Sequence, residues 1–185
     1  MKTLTLDLKA VLREAYTVAA LVCLSLALPF IFHLIPRQGS VPLGVVFLPI
    51  YYAPLIGVIL FKKRAGILTA VLAPVINHLI TGRPDGNMLI LLSLEIPVFV
   101  GIYSFMSDKA AAPGAGIKDT FRIIASYVIS VLLCSAILGQ APHLIFKGNT
   151  VTLFLRSLFM SSPGILILCL LSRTLNKYKI SHDRS

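Results

Sequence analysis

Residues 88–106 read MLILLSLEIPVFVGIYSFM, an uninterrupted apolar run with one charged side chain, Glu95. A helix of this length, at ~1.5 Å per residue, covers ~28 Å, close to the ~30 Å hydrocarbon core of a bilayer. The run is continuous, so it lacks the apolar–polar alternation of a transmembrane barrel strand. It therefore predicts a membrane-spanning α-helix, in which the backbone polar groups bond within the segment.

The composition of the whole chain favours the same class of protein. Of 185 residues, 57% are hydrophobic and only 13% are charged, with a mean hydropathy of +0.89. A soluble domain is about 25% charged, so too few polar residues are present to cover a soluble globule. The long apolar runs exclude a disordered chain. Three isolated cysteines exclude a disulfide scaffold and lack metal-ligand spacing, and we expect them to act as buried apolar side chains.

Together with residues 88–106, the chain contains six apolar runs. The third is short and needs residues from its flanking loops to span the bilayer. The sequence thus predicts a single domain over residues 1–185. It is an all-α integral membrane protein with six transmembrane helices and a cytoplasmic linker at about 107–119. The runs are Ala15–Ile35, Val41–Phe61, Ala65–Ile80, Met88–Met106, Phe121–Ala141 and Val151–Leu171.

The basic residues between the runs predict the orientation. Thirteen of the 17 lysines and arginines flank one side, which includes both termini, whereas Arg37, Arg83 and Lys147 lie on the other. The positive-inside rule therefore places the N- and C-termini in the cytoplasm. This clustering also accounts for the net charge of +10 without a nucleic-acid partner, since no basic face on a soluble fold is present.

Two charged residues lie well inside the runs, Glu95 in the fourth and Arg156 in the sixth. An ionisable side chain at such depth costs at least ~2.5–3.5 kcal/mol and usually has a partner or a function. Both residues lie at a similar depth below the outer ends of their runs. They form either a structural ion pair between two helices or part of a polar pocket that binds a solute from outside.

Further polar side chains gather on the outer side. Each has a bland interpretation as a helix-end or turn residue, and the Pro-Asp-Gly sequence at 84–86 predicts a tight turn. Together they predict an outward-facing ligand site roofed by loops. The excess of basic residues in this half favours a ligand with a carboxylate or phosphate. The candidates are Asn77, His78, Arg83, Asp85, His143 and Arg37.

Small residues recur every four positions on the first helix, at Ala15, Ala19, Cys23 and Ala27. Such a ridge allows another helix to approach closely in the bilayer. The ridge packs either against the protein's own helices or against a separate membrane partner.

The chain lacks the motifs of hydrolases, zinc proteases and nucleotide-binding domains, so we predict no catalytic residue, metal site or cofactor. A membrane-embedded lipid-modifying enzyme and a self-contained small-solute permease remain alternatives to a binding subunit. At ~20 kDa the chain is small for a transporter built from internal repeats.

Residues 42–101 resemble the substrate-binding (S) component of energy-coupling factor transporters. The similar motifs are Ala-Pro-Leu-Ile-Gly at 53–57, Ile-Thr-Gly-Arg-Pro at 80–84 and Leu-Glu-Ile-Pro-Val-Phe-Val-Gly at 94–101. Ala15 and Ala19 match the family's Ala-xxx-Ala motif on helix one. The resemblance implies that this motif docks onto a transmembrane coupling subunit, with two cytoplasmic ATPases as further partners. It also implies a vitamin or vitamin precursor as ligand and a prokaryotic cell membrane as the location.

Overall fold

The structure is a computed structural model that describes residues 8–34, 43–108, 116–139 and 150–182. Within these ranges the chain is helical, and no β-strand occurs. The helices are α1 (Leu8–Leu34), α2 (Leu43–Phe47), α3 (Tyr52–Leu60), α4 (Lys63–Thr81), α5 (Gly86–Asp108), α6 (Ile117–Gly139) and α7 (Thr150–His182), with a 3-10 turn at Pro49–Tyr51.

Five described helices are long and apolar enough to cross a membrane: α1, α4, α5, α6 and α7. Most of their apolar surface faces outward, and Leu79 and Phe159, for example, are 76% and 80% exposed. In a membrane, lipid covers such side chains. The protein is therefore an all-α, multi-pass membrane protein, as the sequence predicts. The short third run reaches a spanning length because α4 also includes Lys63, Arg64 and Thr81.

The second run, predicted as one helix over Val41–Phe61, is instead interrupted, and that prediction was wrong. Leu48 has φ 53° and ψ 41°, the left-handed conformation, and separates α2 from the 3-10 turn. The physical reason is Pro49, which has no N–H and disfavours the right-handed helical conformation at the residue before it. We call residues 43–60 the broken segment.

The broken segment lies inside the bundle rather than at its edge. It packs against α1, α4, α5 and α7, and Leu48, Ile50 and Tyr51 are buried at 7%, 7% and 1% exposure. The Tyr52 hydroxyl donates a hydrogen bond to the carbonyl of Phe47, at the end of α2. Non-helical backbone at membrane depth is tolerated where protein encloses it and its polar groups find partners.

Two glycines set how closely helices approach the broken segment. A Cβ atom at Gly66 of α4 would lie 2.7 Å from the Pro54 carbonyl oxygen, and one at Gly164 of α7 would lie 2.8 Å from that of Phe47. Small residues of this kind allow membrane helices to pack closely against each other.

The basic residues gather at one end of the bundle. There Lys63 pairs with Asp108, and the Arg64 Nε lies 3.3 Å from Glu14 Oε1. These pairs bring together the starts of α1 and α4 and the end of α5. This is the end that the sequence predicts to be cytoplasmic. The linker predicted at about 107–119 is bounded by Asp108 and Ile117, and residues 109–115 lie outside the described ranges.

Candidate functional site

Glu95 lies near the middle of the membrane-spanning helix α5. It is about 13 Å from the start of the helix at Gly86, at ~1.5 Å per residue. The side chain is only 5% exposed. The hydroxyl of Tyr51 donates a hydrogen bond of 2.7 Å to Glu95 Oε1. A buried carboxylate inside the membrane therefore has a partner from the broken segment, which sequence reasoning did not identify.

Aromatic rings surround this hydrogen bond. The ring of Tyr51 lies 5.5 Å from that of Phe99 and 6.0 Å from that of Tyr127, both edge-on. The hydroxyl of Tyr127 donates to Ser161 Oγ at 2.8 Å. We call Tyr51, Glu95, Tyr127 and Ser161 the Glu95 cluster. It joins the broken segment with α5, α6 and α7, and it combines a carboxylate and hydroxyls with the faces and edges of aromatic rings.

The interruption at Leu48 positions Tyr51. Because the left-handed residue and Pro49 start a new helical segment, the 3-10 turn carries Tyr51 into the core, where it is 1% exposed. A second interruption lies beside Glu95 on α5. Pro97 has no N–H, so the carbonyl of Ser93 lacks its usual helical donor. The Ser93 hydroxyl is also buried without a hydrogen-bond partner in the described part of the chain.

The sequence-predicted residues near the outer turn form a local hydrogen-bonded structure. Gly82, with φ 68°, ends α4 and donates its N–H to the carbonyl of His78 at 2.8 Å. His78 Nδ1 lies 2.8 Å from the carbonyl of Pro84. Thr81 Oγ1 donates to the carbonyl of Asn77 at 2.7 Å. The Pro-Asp-Gly turn is confirmed, and the hydrogen bonds of His78 and Thr81 connect this turn with the end of α4.

The predicted outer residues and Glu95 lie at different levels. Arg83 and Asp85 are exposed, and Asn77 and His78 are half-buried. Asp85 precedes Glu95 by ~15 Å along the α5 axis. Arg83 and Asp85 therefore lie at the rim, above the carboxylate, whereas Asn77 and His78 lie near the end of α4, and a roof over Glu95 stays a prediction.

The structure does not describe the side chains of three other predicted residues. Arg37 and His143 lie outside the described residues. Arg156 belongs to α7, but its side chain lies outside the described part of the structure. A pair between Arg156 and Glu95 therefore stays a prediction.

The small-residue ridge on α1 faces outward. Ala15, Ala19, Cys23 and Ala27 are all exposed, whereas Val18, Leu21 and Val22 face the protein at 7%, 4% and 6% exposure. Within the described residues the ridge is therefore not buried against the protein's own helices, and its docking onto a separate membrane partner stays a prediction. The expectation of a buried thiol was wrong at Cys23, which is exposed on this ridge, and holds for Cys134 and Cys169.

A second buried carboxylate, Asp119, was missed by sequence reasoning. It is 0% exposed in the first turn of α6. Asp119 Oδ2 accepts hydrogen bonds from Ser172 Oγ at 2.6 Å and Asn176 Nδ2 at 2.8 Å, and the Tyr103 hydroxyl lies 3.2 Å from Oδ1. Arg122 Nη1 lies 3.8 Å from the same Oδ1. We call these five residues the Asp119 network.

The Asp119 network ties the predicted cytoplasmic ends of α5, α6 and α7 together. Because the predicted linker extended to residue 119, Asp119 was assigned to a loop instead of a helix. One sequence signal could have placed Asp119 in a helix, namely the pair Asp119–Arg122 at helical spacing. In the structure the positions that follow on the same side, Ile123, Ser126 and Tyr127, are buried. The network is internally satisfied and lies far from Glu95 along α5, so we interpret it as structural.

No group of three or more His, Cys, Asp or Glu side chains that could hold a metal ion occurs in the described ranges. The Glu95 cluster instead offers a hydrogen-bond acceptor, hydroxyls and aromatic rings, which are the groups that bind small organic molecules. Comparison with protein-family models, curated proteins and solved structures gives no match. The resemblance to S components thus depends on the motifs of the sequence alone.

Proposed function

We propose that this chain is the substrate-binding component of an importer of the energy-coupling factor type. It captures a small vitamin or vitamin precursor from outside a prokaryotic cell membrane. It then delivers the ligand through a separate transmembrane coupling subunit, which two cytoplasmic ATPases power.

The observation that carries the proposal is the Glu95 carboxylate, buried at mid-membrane and bonded to Tyr51 of the broken segment. A carboxylate at this depth is costly, so it is retained where it has a function or a structural partner. Interrupted helices at membrane depth are also where transporters build solute sites, because backbone and side-chain polar groups become available there. The aromatic rings of Tyr51, Phe99 and Tyr127 enclose the carboxylate at 0–1% exposure, so a bound heterocycle would pack between them only after the rings separate.

The outward-facing ridge on α1 supports the second half of the proposal. A smooth surface of small side chains in the bilayer suits close packing of another helix. Ala15 and Ala19 lie on the half of α1 that begins at the predicted cytoplasmic side. A coupling subunit would reach them there, beside its ATPases.

Native mass spectrometry of the gently purified chain tests ligand capture. We expect a discrete vitamin-sized mass on the wild-type protein and its loss in Glu95→Gln. The matched control is Asp119→Asn, which neutralises the other buried carboxylate and is expected to keep the ligand. Only variants that retain a cooperative unfolding transition are compared.

Three outcomes would contradict this function. Failure to bind any of a panel of B vitamins and their precursors would remove the ligand class. Solute flux into liposomes that contain this chain alone would favour a self-contained permease. A stoichiometric acyl lipid that the chain modifies would favour a membrane-embedded enzyme.

Docking is tested by copurification with the coupling subunit and ATPases of the same genome. Ala19→Leu fills the ridge and is expected to abolish capture. Ala20→Leu adds the same side chain at the next exposed position, off the ridge, and is expected to leave capture intact. Equal capture by both variants would refute the ridge as the docking surface.

A further inference from the structure

A recess of about 510 Å³ opens at the end of the bundle that carries the basic residues. It lies between the first turns of α1 and the turn that joins α3 to α4. Lys9 and Arg13 line it from α1, and Lys62 lines it from the turn. All three side chains are exposed. Cations from two separate elements therefore converge on one recess, which is far from the Glu95 cluster.

The floor of the recess is apolar. Leu60, Phe61 and Ala65 line it beside the three cations, and Phe61 is 52% exposed. Glu14 also lines the recess, and its carboxylate is engaged by Arg64 from α4 at 3.3 Å. The recess thus combines a net positive rim with an apolar base, which is the pattern of an amphipathic anion.

The depth of the recess matches the headgroup layer of the membrane. Lys62 immediately precedes α4, which has 19 residues and at ~1.5 Å per residue spans ~28 Å, about the ~30 Å hydrocarbon thickness. Lys62 therefore lies at the level of the lipid phosphates. Exposed apolar side chains also occur in this part of the bundle, including Leu12 and Tyr16 on α1 and Leu68 on α4.

We propose that this recess binds the headgroup of an anionic phospholipid of the cytoplasmic leaflet. Lys9, Arg13 and Lys62 contact the phosphate, and the glycerol and first acyl carbons lie on Phe61 and Leu60. Arginine suits this role because its planar guanidinium donates two parallel hydrogen bonds to a phosphate. Basic pockets between helices at the cytoplasmic side of a membrane are known binders of anionic headgroups. This site does not depend on the proposed transport function.

The absence of tryptophan from the chain allows a local test. Phe61→Trp places the sole tryptophan in the recess, at a position that is already half-exposed. The protein is reconstituted in vesicles that mix phosphatidylcholine with phosphatidylglycerol, one of which carries brominated acyl chains that quench tryptophan on contact. Quenching at matched mole fractions gives the preference of the recess for the anionic lipid.

We expect a preference for phosphatidylglycerol of about fivefold or more, since each lysine or arginine near an anionic surface contributes about fivefold. Adding Arg13→Gln and Lys62→Gln should reduce it to near unity. The control replaces two exposed basic residues of α7, Arg173→Gln and Lys177→Gln, and should keep the preference. High salt should weaken it, because exposed charges are screened.

Equal quenching by the two lipids in the Phe61→Trp protein that keeps Lys9, Arg13 and Lys62 would overturn the proposal. So would an equal loss in the α7 control, which would indicate a general surface charge effect. If millimolar inorganic phosphate abolishes the preference, the recess is a site for free phosphate and not for a lipid.

Discussion

The crossing of α3 and α4 at Gly66 makes a quantitative prediction about stability. In Gly66→Ala the new Cβ would lie 2.3 Å from Val58 Cγ2, 2.7 Å from the Val58 backbone nitrogen and 2.7 Å from the Pro54 carbonyl oxygen. Ordinary carbon contacts lie at ~3.5–4.0 Å. The Val58 side chain can rotate, but the two backbone atoms move only if the helices separate.

The expected cost follows from two opposing effects. Overpacking of a close contact costs about 1–3 kcal/mol. The gain in helix propensity from glycine to alanine offsets about 1 kcal/mol of this. Because two of the short contacts are with backbone atoms, we expect an overpacking cost in the upper part of this range, about 2–3 kcal/mol. After the offset, Gly66→Ala should lower the free energy of unfolding by about 1–2 kcal/mol.

The matched control is Gly101→Ala on α5, where a Cβ meets no atom within 4 Å. This variant gains propensity without a clash, so its free energy of unfolding should be unchanged or raised by up to about 1 kcal/mol. Titration with sodium dodecyl sulfate in mixed micelles, followed by far-ultraviolet circular dichroism, measures both variants. The reasoning is refuted if Gly66→Ala is as stable as the wild type, or if Gly101→Ala loses as much.

Three further predictions use the same unfolding assay. Gly164→Ala should lose about 1–2 kcal/mol after the same gain in helix propensity, because its Cβ would lie 2.8 Å from backbone atoms of the broken segment, and an unchanged stability would contradict this contact. Tyr51→Phe should lose about 1.5–3 kcal/mol, because the buried carboxylate loses its donor. The same change in a Glu95→Gln background should cost less, and equal losses in the two backgrounds would show that the pair is not coupled. Asp119→Ala should lose about 3–5 kcal/mol because it leaves a buried guanidinium and several donors without an acceptor. Lys63→Ala breaks a half-exposed pair and should lose less than about 1 kcal/mol, and a reversed order of these two losses would refute the assignment of buried and surface ion pairs.

The amino-acid sequence was enough to predict the fold class and the turn that joins α4 to α5. Uninterrupted apolar runs of spanning length leave the backbone no alternative to helices in a bilayer. Local backbone chemistry predicts the Pro-Asp-Gly turn before α5, and the structure contains this turn. The left-handed conformation of Gly82 at the end of α4 follows from the same chemistry. Glu95 was recognisable as a candidate because a charge inside an apolar run is rare and costly.

Which side chains meet became evident only from the packing of the helices. Tyr51 bonds to Glu95 across 44 residues, a contact that no spacing in the sequence indicates. The inward face of α6, with Asp119 fully buried, and the outward face of the α1 ridge were equally undetermined. The physical reason is that lipid and protein interior are both apolar, so the sequence of a membrane helix carries little record of which face packs against protein and which faces lipid.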